Sequence, residues 1–247
     1  MKKQTDMAEV KSVAKMLLMT DVYETEFSPF VVQHPFTSSG IVVLPEKGSK
    51  NFRPLDITQD AENLQAWRTA VASAIDHTEN PYELYMMVNK PYGLTFLKYA
   101  APHLSKKDFS EILSSTWIMC EAPHNDPEVN LSKLVAMFQS ADPQVLMDEG
   151  EYRDFQGLGD MLTVYRGVTS YNADNIRVLS WTLNRQTAEW FAHRFGEDGT
   201  VYEATISKEH IFALFNGRNE SEVIVDPKYL TDITEVQDMA SGFILSQ

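Results

Sequence analysis

The sequence predicts an α+β protein in which a helical N-terminal half precedes a β-rich C-terminal half. Three observations carry this. Between about Ala61 and Glu149 apolar residues recur at helical spacing, and after Gly157 short runs rich in β-branched and aromatic residues take over. Helices come mostly before strands instead of alternating with them, which disfavours a doubly wound parallel sheet. With 247 residues, 43% hydrophobic and 11% aromatic, the chain can bury a sizeable core, as one large domain or two small ones. The division is placed at residue 150, giving regions 1–150 and 151–247.

Along the first region, apolar spacing places a helix around residues 10–18 and a strand at 41–44, after which Pro45, Gly48 and Pro54 mark a loop. Leu64, Trp67, Val71 and Ile75 define an amphipathic helix. Ser105 and Asp108 form a capping-box pattern with Asp in place of Glu, followed by Phe109, Ile112, Leu113, Thr116, Trp117 and Cys120 on one face. Leu131, Leu134, Val135 and Phe138 mark a further helix, and Pro81, Pro91, Pro123, Pro127 and Pro143 punctuate the connections. In the second region strands are expected at 162–166, 178–183, 200–206, 211–214, 222–226 and 233–236. One helix interrupts them, capped by Asn184, with Ala188, Phe191, Ala192 and Phe195 on its apolar face and Gly196 near its end. Trp190 and Phe195 on that helix read as packing residues.

The 35 acidic and 21 basic residues leave a formal charge of -14, which argues against general nucleic-acid binding and against attraction to anionic membranes. No apolar stretch reaches the roughly twenty residues of a membrane span, and the charges Glu9, Lys11 and Lys15 interrupt any signal-peptide core. The single Cys120 cannot form an internal disulfide and reads as a packed core residue, so a cytoplasmic location is expected. Gly157 and Gly159 lack the third glycine of a dinucleotide fingerprint, since Leu162 stands there. His34, His77, His103, His124, His193 and His210 show no metal-ligand spacing, so no metal site is expected.

Three patterns remain in the β-rich half. Arg166 ends the run Leu162-Thr163-Val164-Tyr165 and precedes Gly167, so its planar fork can project from a strand end toward phosphate, although a lone arginine there is usually a surface ion pair. Ser180 and Thr182 share one face of a strand, immediately before the Asn184-capped helix, although on its own that pattern is an ordinary half-buried strand. Glu220 and Glu222 stand two apart at the entry to the apolar run Val223-Ile224-Val225, where strand alternation would bring both carboxylates to one site.

In this order, on strands, these residues resemble the ADP-ribosyltransferases of the Arg/Ser/Glu-x-Glu type, a group that includes bacterial toxins, phage enzymes and vertebrate ectoenzymes. The resemblance covers roughly 162–237. It implies a split mixed β-sandwich core in 151–247 that binds NAD as substrate, with 1–150 acting as a cap over the cleft or recruiting the target. Arg166 matches the arginine that contacts NAD, and Ser180 matches the first serine of the family's Ser-Thr-Ser strand, with Trp181 and Thr182 in place of its second and third residues. Glu222 matches the catalytic glutamate and Glu220 the one that serves the acceptor.

The implied activity is transfer of ADP-ribose from NAD to an unidentified protein, at an arginine. Cleaving the bond between ribose and nicotinamide develops positive charge on the sugar, which a fixed carboxylate such as Glu222 stabilises. Glu220 would orient or deprotonate the acceptor, and Arg166 would anchor the diphosphate. Tyr165 and Gly167 flank Arg166 as further candidate NAD contacts, and Tyr165 reads equally as packing. The turn-rich segment Phe215-Asn216-Gly217-Arg218-Asn219 is expected to contact the target, with Phe215 either exposed there or in the core. Two other readings stand beside transfer: an NAD glycohydrolase, and a catalytically silent binding module, which Trp181 favours because an indole in the pocket would crowd the nicotinamide.

Overall fold

A computed structural model describes residues 4–45, 51–119, 126, 128–170, 172, 175–196 and 198–236. Gly48, Cys120, Pro123, His124, Pro127 and Gln237 lie outside the described residues, as does the side chain of Phe195. The architecture is α+β. The chain divides into two compact units, Met1–Asn130 with Ser140–Asp142, and Leu131–Gln139 with Pro143–Gln247. Most of the helices before residue 150 group with the first unit, but those from Leu131 onward group with the strands.

Among the described residues the first unit is built on the α-helices α1 (Met7–Leu18), α2 (Ala61–His77), α3 (Pro81–Met86), α4 (Gly93–Ala100) and α5 (Lys106–Met119). Helix α4 is buried on most of its circumference, with Leu94, Phe96, Leu97 and Ala100 enclosed, as expected of the centre of a helical core. Val10 and Ala14 of α1, Ile75 of α2, Leu84 of α3 and Ile112 and Leu113 of α5 are also fully buried. The Ser105 cap of α5 forms in part. The Asp108 N–H donates to Ser105 Oγ at 3.1 Å, but the Ser105 N–H goes to Thr5 Oγ1 at 2.8 Å. Aspartate is one methylene shorter than the usual glutamate, and its carboxylate accepts from the Ser105 and Thr5 hydroxyls instead.

Two small ribbons complete this unit: β1 (Tyr23–Glu24) with β2 (Val32–Gln33), and β3 (Ile41–Pro45) with β4 (Phe52–Asp56). The second corrects the loop expected around Pro54, which pairs with Val43 within β4. A two-stranded ribbon leaves alternate N–H groups on its open edges, where a proline loses nothing.

In the second unit, α6 (Leu131–Ser140), α7 (Pro143–Leu146) and α8 (Glu149–Gln156) precede the strands β5 (Met161–Val168), β6 (Ser180–Thr182), β7 (Thr200–Ser207), β8 (Ile211–Phe215), β9 (Glu222–Val225) and β10 (Thr231–Glu235), with α9 (Arg185–His193) between β6 and β7. The six strands form one hydrogen-bonded sheet in the order β10-β7-β5-β6-β9-β8. Every pairing is antiparallel, which corrects the mixed sheet expected. The α9 crossover joins β6 and β7, which run the same way but lie on either side of β5, so they never pair with each other. The sheet is narrowest at its middle: β5 pairs with β7 from Met161 to Val168, but with β6 only at Tyr165 and Thr182.

Candidate active site

The narrow join between β5 and β6 brings the candidate residues together. Arg166 lies on β5, Ser180 on β6 and Glu222 on β9, three neighbours in the sheet. Thr182 stands directly opposite Glu222, which makes Ser180 the diagonal neighbour of Glu222 across the ladder. Ser180 Oγ donates to Glu222 Oε1 at 2.5 Å, and Arg166 Nη1 donates to the Ser180 carbonyl at 2.8 Å. The serine thus orients the carboxylate through its side chain and the arginine through its backbone.

Arg166 is held in a site short of water. Burial, more than any other influence, pushes its guanidinium down to about 10; the Glu222 carboxylate opposes that shift, and the nearby Arg194 guanidinium adds to it. The group stays cationic at neutral pH. Its Nε is buried without a hydrogen-bond partner among the described residues. Two neighbouring cations and an orphaned buried N–H suit an anion such as phosphate. Arg194, which lies 5.1 Å over the Phe191 ring just past α9, is the residue that sequence reading missed. Its only sequence signal is a basic residue at a helix C-terminus, which is commonplace.

Trp181 is 2% exposed and its Nε1 donates to the Val178 carbonyl at 3.1 Å, so the indole is a core group on the strand face opposite Ser180 and Thr182. Thr182 is buried, and its hydroxyl donates to the Glu220 carbonyl at 2.6 Å and accepts from the Asn184 N–H at 3.0 Å. It fastens the loop before Glu222 to the start of α9 and does not open toward a ligand. Gly167 is also structural. A Cβ there would sit 2.1 Å from the Ala188 carbonyl and 2.6 Å from the Ala192 nitrogen, so only glycine lets α9 lie this close to β5. Tyr165 packs against Ala188, Ala192 and Val201, the packing role of the two left open by the sequence.

The glutamate pair departs from its expected geometry. Strand β9 begins at Glu222; Glu220 and Ser221 belong to the preceding loop, where Asn219 has φ 56° and Ser221 φ 46°. Left-handed backbone at Ser221 breaks the two-residue alternation, so strand pleating does not set the direction of Glu220. Glu220 instead pairs with Arg218, Oε2 to Nε at 3.4 Å. Asn216 locks the loop, its Oδ1 accepting from the Ser221 N–H at 3.1 Å, while its own N–H donates to Glu151 Oε1 at 2.7 Å. Glu151 closes the reciprocal capping box of α8 with Asp148, so one buried carboxylate ties a helix start to the glutamate loop. The Asp-x-x-Glu spacing is a sequence signal of a helix start that the sequence reading did not use, and nothing in the sequence marks the contact of Glu151 with Asn216. Phe215 is buried at the end of β8, so the core placement holds and the loop proper is 216–221. Trp190 is exposed and meets Phe191 edge-on, which corrects its reading as a packing residue, because the helix turns that position outward.

Among the described residues there is no group of three or more His, Cys, Asp or Glu placed to hold a metal ion, and no helix is long and apolar enough to cross a membrane. No protein-family model matches the chain, and no curated protein or solved structure matches it.

Proposed function

We propose that this chain is a mono-ADP-ribosyltransferase that cleaves NAD and transfers ADP-ribose to a protein acceptor at an arginine. The reading rests on one observation above all: Ser180 fixing the Glu222 carboxylate while Arg166, anchored on the Ser180 carbonyl, keeps a buried Nε donor without a hydrogen-bond partner among the described residues. A carboxylate held by a neighbouring hydroxyl does not have to reorganise as positive charge develops on a ribose, so its stabilisation is greatest in the transition state. Arg166, with Arg194 beside it, supplies the cationic surface that a diphosphate requires. The implied ADP-ribosyltransferase-like split core agrees with a sheet joined at its middle by a single residue pair.

The Glu220–Arg218 ion pair supports a second reading, NAD glycohydrolysis. While Glu220 is engaged there it is not presented to an incoming arginine, and water would be the acceptor; transfer requires the loop to exchange Arg218 for the target's guanidinium. The burial of Trp181 removes the feature that favoured a silent module. Incubation with NAD labelled on the adenylate, with and without cell extract, separates these. Protein-bound label supports transfer, nicotinamide release without label supports hydrolysis, and neither product refutes both.

A further inference from the structure

Between Lys15 and Lys47 the chain carries no lysine or arginine, but Asp21, Glu24 and Glu26 fall in this stretch, around the β1–β2 hairpin; Arg68 of α2 donates to the Thr20 carbonyl beside Asp21 at 2.7 Å, which leaves Glu24 and Glu26 as the acids next to the aromatics. All three are exposed, and so are the aromatics among them: Phe30 is 77% exposed and Phe27 62%, with Tyr23 and Val31 also open to solvent. Several large apolar groups on one short hairpin exceed what scattered surface hydrophobics explain. The loop that presents them, residues 25–31, is held in one conformation. The Thr25 N–H donates to Ser28 Oγ at 2.8 Å, Thr25 Oγ1 donates to the Val31 carbonyl at 2.7 Å, and the Val31 N–H donates to the Phe27 carbonyl at 3.1 Å. Its Pro29 carbonyl accepts from the Gly40 N–H at 2.7 Å, an approach close enough that a Cβ on Gly40 would lie 2.8 Å from that oxygen.

We propose that this hairpin docks a protein partner, inserting Phe27 and Phe30 into an apolar pocket bordered by lysine and arginine. Aromatic side chains have few rotatable bonds to immobilise on binding, and phenylalanine is enriched at the cores of interfaces. The acidic rim selects the sign of the partner's border. The same acids disfavour an anionic lipid surface, and they disfavour a second copy of a chain whose formal charge is -14. That the partner is also the acceptor of ADP-ribose rests on the function proposed above; the docking does not.

The test uses the full chain carrying Phe30→p-benzoylphenylalanine, with Glu62→p-benzoylphenylalanine at the exposed start of α2 as control. Each is irradiated in cell extract, and the cross-linked protein is identified by mass, purified and titrated against unmodified chain. The expected result is a partner joined from position 30 and not from 62. Its affinity should fall about tenfold or more in the Phe27→Ala/Phe30→Ala double variant. It should also weaken in Glu24→Lys/Glu26→Lys and with added salt, while both variants melt at the wild-type temperature. The proposal is overturned by an absence of position-specific cross-linking, by cross-linking to a second copy, by sedimentation with phosphatidylcholine–phosphatidylserine vesicles, or by a partner indifferent to both variants. Nicotinamide release from NAD, with and without extract, is read in parallel: its absence in both refutes the enzymatic proposal and leaves the docking result standing.

Discussion

Glu222, Ser180 and Arg166 act as a unit because each restrains the next. Ser180 holds the carboxylate, and Arg166 grips the strand that carries Ser180. Arg166→Lys tests whether the fork or only the charge matters. A lysine ammonium keeps the charge but cannot hold the Ser180 carbonyl and also present a second N–H in a fixed plane. The expected outcome is a rise in KM for NAD of about tenfold or more, the worth of one charge-assisted hydrogen bond, measured by nicotinamide release over a range of NAD concentrations. Elsewhere, the fully buried His34 makes a pH-dependent contribution. Its Nδ1 accepts from the Phe36 N–H at 3.0 Å, so Nε2 carries the proton and donates to the Leu18 carbonyl at 3.3 Å. Burial, aided by Arg68, pushes its pKa down from 6.5 to about 4. The folded state therefore resists protonation. Stability is unaffected above about pH 6.5, falls as the pH drops because the unfolded chain takes up the proton first, and levels off near pH 4, a loss of roughly 3 kcal/mol. Urea unfolding of wild type and His34→Gln at pH 7 and pH 4.5 should show the larger decline in wild type, and equal declines would refute this assignment.

At the scale of elements, α9 lies on β5 through Gly167, and the start of α9 is fastened to the glutamate loop through Thr182 and Asn184. A methyl group at position 167 would collide with backbone, not with a flexible side-chain end, so α9 must move away from the strand. Gly167→Ala is expected to destabilise by about 2–3 kcal/mol, the upper range for overpacking, read as a lowered urea midpoint at unchanged m-value. Much of this element structure was legible in the sequence. The strands of the second unit and the Asn184-capped helix follow from β-branched runs, turn residues and a single cap, all local signals. What escaped was set by distant partners or by backbone. Pro54 reads as a breaker unless β3 is known to pair with it, and β1 and β2 are two residues each, too short to leave a pattern. Ser221 gives no sign of its left-handed φ of 46°, because the conformation is imposed by Asn216 across the loop. The site was legible as a set of residues, but its order was not: Glu220 comes off the strand, Thr182 and Gly167 turn inward, and Arg194 joins from the end of α9.

For the whole molecule, the division into two units separates the two features on which the proposals rest. The Arg166–Ser180–Glu222 cluster, the loop before it and the Glu151 clamp all belong to the second unit. The exposed aromatic hairpin belongs to the first. The formal charge of -14 repels polyanions in general. Everything proposed for the site depends on Glu222 stabilising a ribose cation formed from NAD. The most direct measurement of that role is nicotinamide release by the purified full chain, wild type against Glu222→Gln, a substitution that keeps the shape and the acceptor oxygen for Ser180 while removing the charge. In Glu222→Gln kcat is expected to fall by about a hundredfold or more, as when a preorganised transition-state contact is lost, with little change in KM. Equal kcat in the two proteins would contradict it.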